Sequence, residues 1–301
     1  MYRKRFGLHS HPLPRDACGK TFYAGGERFA RLSRVFHWLA AEPGLATLTG
    51  DAGVGKTAAL RHLCAGLPKP EHQILYICDT HVTATAVYRN LAAELGLRPA
   101  HRRDTLWRDL KRTLLHLVDE RGVIPVLVID EAQHLADDFF HDLGGFLNYA
   151  FDTRDLLTVW LVGLPALDRR LALRHHAALA TRIVSSNHIC SRSDREDFLA
   201  LVDHAMKAAG ATTRILSDPA LELLWRASRG VVRTTAILLR TSLAIAHERE
   251  QSFVDDDVMT AAIDDLALTQ PSAVAPLSAS PKSPAAPPRK PRAQTGTRSR
   301  K

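Results

Sequence analysis

A chain of 301 residues with 46% hydrophobic and 24% charged side chains can bury a substantial core and has room for one or two domains. No run of 18 apolar residues occurs, and Arg3, Lys4 and Arg5 lead into Phe6-Gly7-Leu8-His9 instead of an apolar signal core. Neither export nor a membrane span is expected, and a cytoplasmic protein is the reading. The formal charge of +8 gathers at one end: from Gln270 to Lys301 the chain carries Lys282, Arg289, Lys290, Arg292, Arg298, Arg300 and Lys301 with no acid, leaving the remainder near +1.

The chemistry begins at Leu45-Ala46-Thr47-Leu48-Thr49, which reads as a short buried strand. It runs into Gly50-Asp51-Ala52-Gly53-Val54-Gly55-Lys56-Thr57 and then, from Ala58, a helical stretch through Leu63. This is a complete Walker A motif. Its glycines let the backbone curl so that successive N–H groups face phosphate oxygens, and the helix adds its positive N-terminal end. Residues 50 to 58 are the expected ATP-binding set. Within it Lys56 is expected to reach the β and γ phosphates, and the Thr57 hydroxyl to hold Mg²⁺.

A second strand is expected at Ile74 to Cys78, followed by helices at Thr85 to Leu95 and Thr105 to Glu120. Ile124-Pro125-Val126-Leu127-Val128-Ile129 is a continuous apolar run, as a parallel strand buried on both faces requires, and it ends in Asp130-Glu131. About 75 residues after a Walker A motif, this reads as Walker B. Asp130 is expected to anchor Mg²⁺, and Glu131 to polarise the water that attacks the γ phosphate. Further strands are expected at Leu157 to Val162 and Ile183 to Cys190.

From Asp194 the pattern is helical only: Asp194 to Ala209, Asp218 to Ser228, Val231 to His247 and Asp255 to Leu266, with Ser217 and Pro219 marking one helix start. The fold class is therefore α/β: a P-loop AAA+ core with a parallel five-stranded sheet flanked by helices, plus a C-terminal helical lid. The domain reading is a nucleotide-binding domain with an N-terminal extension at 1–192, a lid at 193–268, and a basic Pro/Ala/Ser-rich tail at 269–301 that cannot build a core and is expected to be disordered. Cys18, Cys64, Cys78 and Cys190 have no C-x-x-C spacing, so reduced and mostly buried thiols are expected. His175-His176 and His9/His11 show no partners at ligand spacing, so no histidine metal site is expected.

Four segments carry a more specific resemblance over roughly residues 1 to 266: the opening Met1-Tyr2 through Leu8, Phe22-Tyr23 through Leu32, Val128 through Leu135, and Trp160 through Leu167. They resemble one AAA ATPase family, that of the general secretion pathway protein A ATPases and the ATP-binding helper subunits of bacterial transposons, the phage Mu transposition protein B type among them. The resemblance implies that Arg182 is an arginine finger reaching a neighbouring subunit's nucleotide, which makes hydrolysis dependent on oligomers. It also implies that Arg233 is the lid arginine called sensor 2. Two departures stand out. Leu164 occupies a position where the secretion-type members carry a polar Gln, so either slow hydrolysis or a substitute in Asn148 is expected, and Val232 replaces a proline of the lid pattern.

The secretion-type members typically continue into a membrane span and a wall-binding module not seen here, so the transposition branch is the expected one. It implies an ATP-bound ring or filament of like subunits on non-specific duplex DNA that recruits or activates a transposase and is cleared by hydrolysis. Two alternatives stay open: an assembly or signalling ATPase with a protein client and no DNA, and a scaffold that holds ATP but scarcely hydrolyses it.

Overall fold

The computed structural model describes residues 2–150 and 153–269, so the basic tail, apart from Thr269, lies outside the described residues. Five strands, β1 (Leu45–Thr49), β2 (His72–Ile77), β3 (Ile124–Ile129), β4 (Thr158–Gly163) and β5 (Ile183–His188), form one sheet in the order β2-β3-β4-β1-β5. Every pairing is parallel, which obliges the chain to cross back over a sheet face between strands. The strand lists read from apolar runs differ from these by one or two residues at some ends. At β2 the reason is visible: His72 and Gln73 pair with Ile124 and Pro125, and an edge strand needs no apolar side chain there.

Alternation along the central strands divides the core in two. Val126, Val128, Trp160 and Val162 face α2 (Glu27–Ala41) and α3 (Lys56–Ala65), after the short α1 (Tyr2–Arg5). Leu127, Ile129, Val159 and Leu161 share the opposite cluster with α4 (Ala84–Glu94), α5 (Arg103–Asp119) and α6 (Asp137–Phe146). Trp160 is fully buried against Phe36, ring centroids 5.7 Å apart, and its indole N–H has no acceptor among the described residues. An unmet donor costs about 1–3 kcal/mol, whereas burying an indole gains about 4–6 kcal/mol, so the packing outweighs the orphan.

Short helices α7 (Ala166–Leu171) and α8 (Ala177–Ala180) connect β4 to β5. Then α9 (Arg195–Ala208), α10 (Asp218–Ser228), α11 (Val232–Glu248) and α12 (Asp256–Thr269) build the lid around Phe198, Leu224, Leu239, Leu243, Val258 and Met259. Ser217 Oγ accepts from Ala220 N at 3.2 Å and starts α10 as its sequence implies. Tyr2, Phe6 and Leu8 join this same cluster, so the first residues of the chain pack with its last helices.

The thiol expectation needs correction. All four cysteines are free, but Cys18, Cys64 and Cys190 are only half-buried and Cys78, the residue after edge strand β2, is exposed. Burial raises the Cys64 thiol to about 12.

Candidate nucleotide site

The loop from Gly50 to Gly55 leaves the C-terminal end of β1 and enters α3 through Gly55, whose φ of 102° is a left-handed conformation. No side chain caps α3, so its first N–H groups remain available to an anion at the sheet's C-terminal edge. Val54 is buried and pins the loop from beneath. Lys56 is buried as well, and its Nζ donates to the carbonyls of Gly50 at 2.8 Å and Asp51 at 3.0 Å. Burial lowers its pKa, and Arg233 adds to that, while Glu131, Asp130 and Asp51 act against it. The ammonium is thus held inside the loop that would wrap phosphates.

Asp130, at the end of β3, is 5% exposed. Its Oδ2 accepts from Thr57 Oγ1 at 2.6 Å and from the Tyr76 hydroxyl at 3.1 Å, and its Oδ1 accepts from Glu131 N at 2.9 Å. A hydroxyl and a carboxylate in contact, with oxygen donors only, fit a hard cation such as Mg²⁺. Glu131 has φ +52°, unusual for a residue with a side chain, and this kink turns its carboxylate out of the strand direction.

Gln133, 8% exposed, completes the arrangement. Leu164 N can only donate, so the amide oxygen of Gln133 faces it at 3.0 Å, which leaves Nε2 to donate to Glu131 Oε2 at 2.6 Å. Thr80 Oγ1 donates to the Glu131 carbonyl at 3.0 Å. Gln133 lies inside the Val128 to Leu135 segment of the resemblance, where its spacing assigns it no role, and nothing in the sequence singles out Tyr76 or Thr80. The polar group beside Leu164 therefore comes from Gln133. Asn148 does not supply it: α6 runs from the C-terminal edge of the sheet to the opposite one, leaving Asn148 exposed with its carbonyl on Lys111 Nζ at 3.0 Å. Gln133→Leu keeps the volume and removes both bonds. It is expected to lower turnover about 10- to 100-fold, as loss of a charged hydrogen bond implies, with ATP affinity within about twofold. Steady-state turnover beside equilibrium nucleotide binding measures the split.

The lid meets the loop directly. Arg233 N donates to Gly53 O at 3.0 Å, and a Cβ built on Gly53 would lie 2.8 Å from the Arg233 Cβ. Gly53 also has φ +82°. Gly53→Ala should therefore part α11 from the loop, weakening nucleotide binding by about 10-fold or more, since left-handed strain alone costs about 1–2 kcal/mol. Fluorescent-nucleotide titration measures it, and unchanged affinity would refute the contact's importance. Beside the loop, a cavity of about 430 Å³ is walled by Phe22, Tyr23 and Phe29 from the N-terminal segment, by Val54 and Ala58, and by Ile189, Leu201 and Val232. Arg192 lies over the Tyr23 ring at 4.8 Å and pairs with Asp197 of α9, fixing this wall to the lid.

Residues 50 to 58, Asp130, Glu131 and Arg233 thus come together. Arg182 does not join them: it precedes β5, whose Ile183 pairs with Leu45 at the start of β1, about 16 Å from the loop at the other end of that strand. Asp137 and His141 of α6 meet His175 and His176 in space although more than 30 residues separate them in the chain, neighbours that ligand spacing along the sequence does not reveal.

This sheet, phosphate loop, paired acids and helical lid define a P-loop fold of AAA+ architecture. Residues 40–171 match the AAA domain family. The chain is 30% identical over 266 residues to general secretion pathway protein A of Aeromonas hydrophila, covering 87% of this chain and 48% of the relative, so it spans about half that protein's length. Among solved structures it is similar to the Aeropyrum pernix ORC2 protein in its ADP form (TM-score 0.63, 12% identity, 87% of this chain and 72% of that one). It is also similar to Drosophila ORC bound to DNA (TM-score 0.64, 18% identity, 90% and 67%). No helix among the described residues is long and apolar enough to cross a membrane.

Proposed function

We propose that the protein is an ATP-controlled helper of DNA transposition, which oligomerises with ATP on duplex DNA, engages a transposase, and is released by hydrolysis. The observation that carries the switch is the bond from Arg233 N to Gly53 O: the lid rests on the phosphate loop itself, so a change at the phosphates alters lid position. In this reading the residues from Gly50 to Ala58 cradle the phosphates, Lys56 neutralises them, and Arg233 reads them from the lid. The cavity beside the loop receives the nucleoside. Thr57 and Asp130 would hold Mg²⁺, which when bound offsets the phosphate charge. Glu131, oriented by Gln133, takes the proton of the attacking water.

The position of Arg182 supports oligomers. An arginine about 16 Å from its own loop acts on a phosphate only when that phosphate belongs to a neighbour. Support for DNA comes from the exposed arginines of one segment, Arg98, Arg102, Arg103, Arg108 and Arg112. Asp104, Asp142 and Asp109 pair with Arg102, Arg103 and Arg112, and Arg98 and Arg108 have no ion-pair partner among the described residues. Such a stripe contacts phosphates without reading sequence.

Binding of Glu131→Gln to a long non-specific duplex, with and without ATP and Mg²⁺ across a salt series, tests the reading. Tight binding only with ATP, weakening steeply as salt rises, supports it. Absence of binding under any nucleotide moves the assignment to an ATPase with a protein client, the reading that the identity to general secretion pathway protein A favours.

A further inference from the structure

Where α6 meets the turn after α7, the chain assembles a cluster that the nucleotide chemistry does not use. Asp137 opens α6 and His141 follows one helical turn later on the same face. The turn at Arg174–His176 brings His175 and His176 against them. One donor atom from each of Asp137, His175 and His176 lies within 4.8 Å of the others. The His141 ring is 5.1 Å from that of His176 and 5.9 Å from that of His175.

His176 is the most informative member. It is 1% exposed, its Nε2 lies 3.2 Å from Asp137 Oδ1, and its Nδ1 has no hydrogen-bond partner among the described residues. A neutral imidazole here can turn the Nε2 lone pair toward the same point as the Asp137 carboxylate, its Nδ1 then carrying the ring proton. The 3.2 Å spacing is close to the ~3.3 Å that separates two ligands of a tetrahedral ion with bonds of about 2.0–2.1 Å. Arg170 holds the carboxylate of Asp137 in place, and its Nη1 donates to the carbonyls of Gln133 and Leu135, each at 2.7 Å.

We propose that Asp137, His175 and His176, completed by His141, form a binding site for a divalent transition metal of the zinc class, separate from the oxygen-only pair Thr57 and Asp130. Imidazole nitrogens select such an ion over magnesium or calcium, whose preference is for oxygen. All four donors sit on α6 or on the turn packed against it, so side-chain rotations suffice to close the site. The exposed positions of Asp137, His141 and His175 give a metal a path from solvent.

Equilibrium dialysis of the full, untagged chain against Zn²⁺ alone, without nucleotide, tests this, with Co²⁺ absorption as the spectroscopic readout. The expected result is one equivalent of Zn²⁺ per chain and visible bands of four-coordinate cobalt with nitrogen and oxygen ligands. His176→Ala alters a buried residue and can simply fail to fold, so the decisive variants are His175→Ala and Asp137→Asn, both at exposed positions. Each should weaken Zn²⁺ binding at least about 10-fold, the lower end of the losses seen even for groups that only orient a ligand. His81→Ala should leave binding unchanged, although His81 and His134 form another histidine pair, stacked at 4.0 Å. No Zn²⁺ bound at micromolar concentration would overturn the site, as would stoichiometric binding that survives both decisive variants.

Discussion

Arg182→Ala should lower ATP turnover by about 10³-fold or more while leaving each subunit's affinity for ATP nearly unchanged, because arginine fingers act on the transition state and contribute that much. The geometry makes the claim specific. Arg182 precedes β5 at the edge of the sheet where β1 begins, and the phosphate loop leaves β1 at the other edge. No rotamer of one arginine spans about 16 Å. Mixing Arg182→Ala with Glu131→Gln should therefore restore activity, since a subunit with an intact Glu131 can be served by a neighbour with an intact Arg182. At equal mixing about a quarter of head-to-tail interfaces are complete, which sets the expected recovery. If turnover of the mixture stays at the level of the separate variants under conditions where they co-assemble, Arg182 does not act between subunits.

Much of this arrangement was legible in the chain because it is written locally. The strand before Gly50 and the run Ile124 to Ile129 are buried on both faces, so their apolar continuity gives both strand and environment, and the apolar run matches β3 residue for residue. The loop chemistry follows from residue types at fixed spacing. The 15-residue helix α2 is absent from the sequence expectations although Leu32, Phe36, Leu39 and Ala40 recur at helical spacing, because the segment enters them for its resemblance and not for its period. Gln133 and the histidine cluster were illegible for a different reason. Gln133 matters only through Leu164 N and the Glu131 carboxylate, and the first of these arrives from another strand. His176 acquires its neighbours only when α6 and the turn after α7 pack together. Spacing along the chain carries no trace of either contact.

Glu131→Gln should bind ATP and retain it, lowering turnover about 10²–10⁴-fold, the usual contribution of a general base, and accumulating the assembled state. The substitution is nearly isosteric, and the amide oxygen it introduces can still accept from Gln133 Nε2, so the unusual backbone at φ +52° keeps its support. What disappears is the negative charge that draws a proton from water. Lys56→Ala is expected to behave in the opposite way. It removes the cation buried in the loop, so phosphates lose their main neutralising group, and neither binding nor assembly should follow. Light scattering with and without ATP, run beside a turnover assay, separates the two: Glu131→Gln grows with ATP and does not shrink, while Lys56→Ala does not grow. A wild-type rate no higher than that of Glu131→Gln would mean that Glu131 is not the base. Assembly by Lys56→Ala on addition of ATP would show that the loop does not control the oligomer.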